Sequence, residues 1–160
     1  MDEIRNLIFK FANSFDLKEW DALKSVFLDP IVCDYTSLRQ TLETLTPEEY
    51  VNKRIKSLDK LKTQHIFSNL EITLTEEQAT CRCSAIIFRC LETDYFNTHA
   101  IYEFTLHHIN NVWRIGKIKQ QVLWNEGNPA ISTYAKVILY FMPTSHKTRS
   151  ISVFKLLKQL

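Results

Sequence analysis

Ile4, Leu7, Ile8, Phe11 and Phe15 recur at helical spacing and form one apolar stripe, which predicts a first amphipathic helix. Asp16 stands directly before Leu17-Lys18-Glu19-Trp20. An aspartate followed three residues later by glutamate predicts a capping box opening a second helix, with Trp20, Leu23 and Phe27 inward. Asp29-Pro30 should end that helix, because proline disfavours helical geometry in the residue before it. Ile31-Val32-Cys33-Asp34-Tyr35 reads as a short strand. Thr36 to Leu45 has no clear period and reads as a connecting loop. Thr46-Pro47-Glu48-Glu49 then combines an N-cap threonine, a proline at the first helical position and acids in the first turn. Val51, Ile55 and Leu58 supply the buried stripe of this third helix.

From His65 the period changes to two: Ile66, Leu70, Ile72 and Leu74 alternate with His65, Phe67, Asn69, Glu71 and Thr73. Ala79 to Leu91, Thr98 to Ile109 and Val112 to Trp124 repeat that pattern, with turn chemistry at Glu76-Glu77-Gln78 and Asn110-Asn111. Three helices with one short strand among them precede four long strands. Such segregation predicts an α+β fold, with helices packed on one face of a mainly antiparallel sheet.

A length of 160 residues suits one domain with a real core. The 45% hydrophobic and 24% charged content is that of a globular chain, and the net charge of +2 is spread without a basic field, which argues against a nucleic-acid partner. The charged start Met1-Asp2-Glu3-Ile4-Arg5 is unlike a signal peptide and no apolar run has membrane-spanning length, so no membrane partner is expected and the cytoplasm is the expected compartment. Cys81 and Cys83 form a C-x-C on a strand rather than a C-x-x-C site, and with Cys33 and Cys90 they read as reduced thiols. With only Gly116 and Gly127, neither a P-loop nor a dinucleotide fingerprint can be built. His107-His108 does not read as a metal site, because adjacent strand residues point apart. No cofactor and no metal are therefore expected. The boundaries expected are a domain over residues 1–129 and a tail over 130–160, whose run Val137-Ile138-Leu139-Tyr140-Phe141 is apolar enough to dock as a lid or to join a subunit interface.

Phe15-Asp16 before a helix with Trp20 and Leu23, then Asp34-Tyr35, Thr63-Gln64-His65-Ile66-Phe67-Ser68-Asn69, Val112-Trp113-Arg114-Ile115 and Trp124 together resemble the SnoaL-like branch of the nuclear-transport-factor-2-like superfamily. That group includes scytalone dehydratase and lindane dehydrochlorinase. The resemblance spans roughly Met1 to Pro129 and rests on segment order. It implies a curved sheet wrapped by helices into a cone with a pocket at its wide end, and a histidine–aspartate dyad that removes a proton without a cofactor.

Carried over to this chain, the resemblance makes His65 the base and Asp16 its carboxylate partner. A carboxylate beside an imidazole should raise its pKa from about 6.5 and hold its tautomer. Asp16 also fits the capping role alone. Tyr35 matches a family tyrosine that holds a water against the substrate, and it equally fits a core aromatic. Phe15 stands where the family has a second tyrosine, and phenylalanine cannot donate a hydrogen bond. Arg89 shares strand parity with Cys81, Cys83, Ala85 and Ile87, so it needs an anionic partner or a route to water. A clamp for a carboxylate or enolate oxygen and a salt bridge to Asp16 or Glu103 both satisfy it. Tyr102 is preferred over His99 as the residue facing the pocket, because it shares a face with Ala100, Phe104 and Leu106. Asn69 completes the expected substrate contacts, with Trp20, Phe67 and Trp124 lining the pocket for a flat, ring-bearing ligand. The expected activity is that of a lyase or isomerase, dehydratase- or cyclase-like, on a small hydrophobic cyclic compound of polyketide or terpenoid type. The competing reading is a non-catalytic ligand-binding or oligomeric scaffold domain. Self-association as a dimer or trimer is expected in either case.

Overall fold

A computed structural model describes residues 1–131. Helix α1 spans Asp2–Asp16 and buries Ile4, Ile8, Phe11 and Phe15, the stripe expected from the spacing. The second helix differs from expectation at both ends. Helix α2 is Trp20–Ser25, its N-cap is Glu19 with no side-chain cap bond, and Asp16 is the last residue of α1. The capping-box reading of Asp16 is thereby corrected, because its carboxylate is committed to His65 instead. Helix α2 stops before Phe27, which starts strand β1, Phe27–Tyr35. Asp29 and Pro30 therefore lie inside a strand, exposed, where the pairing of β1 shifts register between Phe27 and Val32. A proline lacking its N–H is tolerated where the ladder is interrupted.

The expected loop from Thr36 to Leu45 is structured. It holds the short helix α3, Thr36–Arg39, and the edge strand β2, Thr41–Leu45, joined at Gln40 with φ 56°. Strand β2 pairs antiparallel with β1 from Ile31↔Leu45 to Tyr35↔Thr41. Helix α4, Pro47–Leu58, starts as its sequence dictates: the Thr46 N–H donates to Glu49 Oε2 at 2.8 Å and the Glu49 N–H to Thr46 Oγ1 at 3.2 Å. Its buried face carries Tyr50, Val51, Arg54, Ser57 and Leu58.

Strands β3 (Lys62–Leu74), β4 (Gln78–Leu91), β5 (Asp94–Ile109) and β6 (Val112–Gly127) complete a six-stranded sheet in the order β2-β1-β6-β5-β4-β3. All neighbours are antiparallel except β1 and β6. This is the α+β architecture expected, with the helices against the inner face of the sheet. A register shift between Ser68 and Glu71, with Asn69 at φ 54°, moves the inward parity of β3 from Thr63, His65 and Phe67 to Leu70 and Ile72. The uniform alternation expected along β3 is corrected accordingly: Ile66 points outward and is 44% exposed.

Phe11 sits at the centre of the core. Its ring packs edge-on against Phe15, Phe27 and Phe104 at 5.1, 6.0 and 5.4 Å and stacks on Phe67 at 6.1 Å. Phe11→Ala is expected to destabilise the protein by about 3–5 kcal/mol, read as a lower urea midpoint, because four rings cannot all close on the space left.

A short 3-10 turn, Pro129–Ile131, ends the described chain. The expected lid or subunit contact of the tail lies, from residue 132 onward, outside the described residues. Among the described residues no helix is long and apolar enough to cross a membrane.

Candidate functional site

A cavity of about 490 Å³ opens between the inner face of the sheet and helices α1, α3 and α4, a size that suits a small organic molecule. Its wall takes Phe11 and Phe15 from α1, Tyr35 from the end of β1, Arg39 from α3, and Tyr50 and Arg54 from α4. The sheet contributes His65 from β3, Arg89 from β4, Phe96 and Tyr102 from β5, and Gln120 from β6.

Helix α1 delivers its last residue, Asp16, against the start of β3. Asp16 Oδ2 accepts the His65 backbone N–H at 2.7 Å, and Oδ1 lies 2.7 Å from His65 Nδ1. The side chains are 7% and 18% exposed for His65 and Asp16. A carboxylate offers only acceptors, so Nδ1 carries the proton and Nε2 keeps its lone pair. Burial pulls the His65 pKa below its ordinary 6.5, the Asp16 carboxylate works against that, and the positive charges of Arg89 and Lys18 add to the lowering. The expected raised pKa is thus corrected. Desolvation of the imidazolium outweighs its carboxylate partner.

The Tyr35 and Tyr50 hydroxyls lie 2.9 Å apart. Burial lifts both pKa values above the ordinary tyrosine range, so both keep their protons. Two hydroxyls sharing one bond use one proton, which leaves the other O–H to donate elsewhere. The Arg54 guanidinium lies 4.6 Å from the Tyr50 ring centre and 5.0 Å from that of Tyr35, and Arg39 is 5.0 Å from Tyr35.

Arg89 is 8% exposed and faces the cavity. Its Nη1 donates to Thr98 Oγ1 at 2.9 Å and to the Phe96 carbonyl at 3.4 Å. Neither carboxylate considered from the sequence pairs with it: Asp16 is engaged by His65, and Glu103 accepts from Lys119 at 3.2 Å. Burial brings its pKa down to about 10, which leaves it charged at neutral pH. Tyr102 points inward, as its strand parity implied, and its hydroxyl accepts from Gln120 Nε2 at 2.8 Å. Gln120 is 2% exposed, and its Oε1 has no partner among the described residues.

Four expected contacts do not reach the cavity wall. Asn69 is exposed at the β3 bulge and donates to Ser84 Oγ at 3.4 Å. Trp124 is 52% exposed on the outer face, stacked on His99 at 4.2 Å, because its strand parity points it away from the helices. Trp20 packs half-buried against the core. Phe67 stands behind the wall, with its ring 5.2 Å from Tyr102 and 6.5 Å from His65. Conversely, Tyr50, Arg54 and Gln120 line the cavity without having been anticipated. A signal existed for each: Tyr50, Arg54 and Leu58 recur every four residues along α4, and Gln120 interrupts the apolar parity of β6. Among the described residues no group of acidic, histidine or cysteine side chains could hold a metal ion. The four cysteines form no disulfide with one another, and burial raises the Cys33 thiol to about 11, away from thiolate chemistry.

The family model described as a SnoaL-like domain matches residues 1–119. Scytalone dehydratase arp1 of Aspergillus fumigatus is 26% identical over 137 residues, which cover 77% of this chain and 82% of that protein. Among solved structures, the Kfla4162 protein of Kribbella flavida superposes with a TM-score of 0.75 at 21% identity, covering 78% of this chain and 91% of that one. A type 2 hexachlorocyclohexane dehydrochlorinase (LinA) superposes with a TM-score of 0.70 at 14% identity, covering 79% and 87%.

Proposed function

The chain belongs to the SnoaL-like domain family, and we propose that it is a cofactor-free lyase or isomerase that removes a proton from a small cyclic substrate. The observation that carries this reading is the buried His65–Asp16 pair, 2.7 Å apart, at the wall of the cavity. The names of two relatives point the same way, since a dehydratase and a dehydrochlorinase both catalyse eliminations.

His65 Nε2 is the base. It takes a proton from carbon next to a carbonyl or leaving group, while Asp16 holds the ring and stabilises the imidazolium that forms. The free hydroxyl proton of the Tyr35–Tyr50 pair donates to the oxygen on which negative charge develops, and the apolar rings of Phe11 and Phe15 keep bulk water from the reacting carbon. The proton held on His65 then returns to the leaving group in an elimination, or to a second carbon in an isomerisation.

Solvent-deuterium exchange into a panel of cyclic ketones tests the reading. Incorporation well above the buffer rate supports it. Incorporation at the buffer rate for every ketone would leave the cavity to ligand carriage or scaffolding instead. The base works only when unprotonated, and its pKa lies below 6.5. The exchange rate is therefore expected to rise with pH along an acid limb below that value and to be level through neutrality, measured as kcat/KM against pH. A limb centred above pH 7 would count against His65.

A further inference from the structure

Among the described residues the cavity wall carries three guanidinium groups, Arg39, Arg54 and Arg89, and no aspartate or glutamate. The Asp16 carboxylate, beside the His65 ring, has both oxygens engaged there. The Tyr102 hydroxyl lies within the field of all three arginines. Arg89 is the decisive member. It is buried, it has no carboxylate partner among the described residues, and Thr98 and Phe96 hold its Nη1 so that the guanidinium is fixed in place at the wall. A charge taken out of water without a counter-ion is costly, and a cavity that keeps one has a use for it.

We propose that the substrate is a cyclic carboxylic acid whose carboxylate pairs with Arg89, its ring lying against Phe15 and Tyr102. This rests on the proposed function in one respect only, that the cavity is the substrate site. The planar fork of a fixed arginine matches the two oxygens of a carboxylate. A flat, ring-bearing anion also suits a wall that carries the rings of Phe11, Phe15, Tyr35, Tyr50 and Tyr102. The anion serves the chemistry as well. It offsets the repulsion between Arg89 and the imidazolium form of His65, so binding the acid makes the base stronger at the moment it is needed.

The probes are 2-naphthoate and its neutral isostere 2-naphthamide, titrated into the full chain by calorimetry and by heteronuclear NMR. The expected result is at least about tenfold tighter binding of the acid, the size of one charge-assisted hydrogen bond. That preference should disappear in Arg89→Met and persist in part in Arg89→Lys, which keeps the charge without the fork. Equal affinity of the two probes for the unaltered protein, no binding of either at millimolar concentration, or a preference that survives in folded Arg89→Met would each overturn the proposal. Should Arg89→Met not fold, the comparison of the two probes on the unaltered protein still decides. His65→Ala separates this proposal from the catalytic one. It should keep the preference for the acid, whether or not His65 proves to be the base.

Discussion

His65→Ala is expected to lower the exchange rate by about 10²–10⁴-fold, the range over which a positioned general base acts. Every other group at the cavity wall is a poor substitute. The Tyr35, Tyr50 and Tyr102 hydroxyls have pKa values raised by burial and do not ionise near neutrality, and the arginines are cations. The substitution removes only the ring. The His65 backbone N–H still donates to Asp16, and the flanking pairs Gln64↔Phe88 and Ile66↔Ile86 still bind β3 to β4. Circular dichroism should therefore show an intact fold beside the lost rate. A folded variant that exchanges at the unaltered rate would remove His65 as the base.

Asp16→Asn should do comparable damage by a different route. Asp16 accepts two hydrogen bonds, from the backbone and from the ring of His65, whereas an amide brings one acceptor and one donor. With its oxygen on the backbone N–H, the amide nitrogen would donate to Nδ1. That moves the ring proton to Nε2, the atom that must be bare. A loss of about 10²–10⁴-fold follows. The cost in stability is smaller, about 1.5–3 kcal/mol for a hydrogen bond to a charged group. Because Asp16 favours the imidazolium, any residual activity should have its acid limb at lower pH than in the unaltered protein. Retention of the rate within a factor of two would show that Asp16 is only a tether between α1 and β3.

How much of this was legible in the chain differed by element. Helices α1 and α4 were plain, one from its apolar stripe and the other from Thr46, Pro47 and Glu49, because local periodicity and capping act within a few residues. Strand β2 was not, since five residues at a sheet edge with alternating exposure need no strong apolar pattern. The spacing of Phe27 from Trp20 and Leu23 fits a helix, yet pairing with β6 draws it into β1. Tertiary contact overrode local spacing there.

The site shows the same division. His65, Tyr35, Arg89, Tyr102 and Phe15 were identified from strand parity and from the order of segments shared with the SnoaL-like family, and all five line the cavity. Asn69, Trp20, Phe67 and Trp124 do not. A bulge in β3 decides that for Asn69 and the outward parity of β6 for Trp124, whereas Trp20 and Phe67 are taken up in core packing. What the chain alone determined is therefore the class of fold, the polar residues set into apolar faces and, through its resemblance to the SnoaL-like family, Asp16 and His65 as a candidate pair. Only the tertiary structure decided that Asp16 turns from its own backbone to His65, that burial rather than the carboxylate sets the pKa of that ring, and that Arg89 meets no anion of its own among the described residues. Those outcomes depend on which groups are brought together from distant parts of the chain and how much water is excluded between them, quantities that no local pattern encodes.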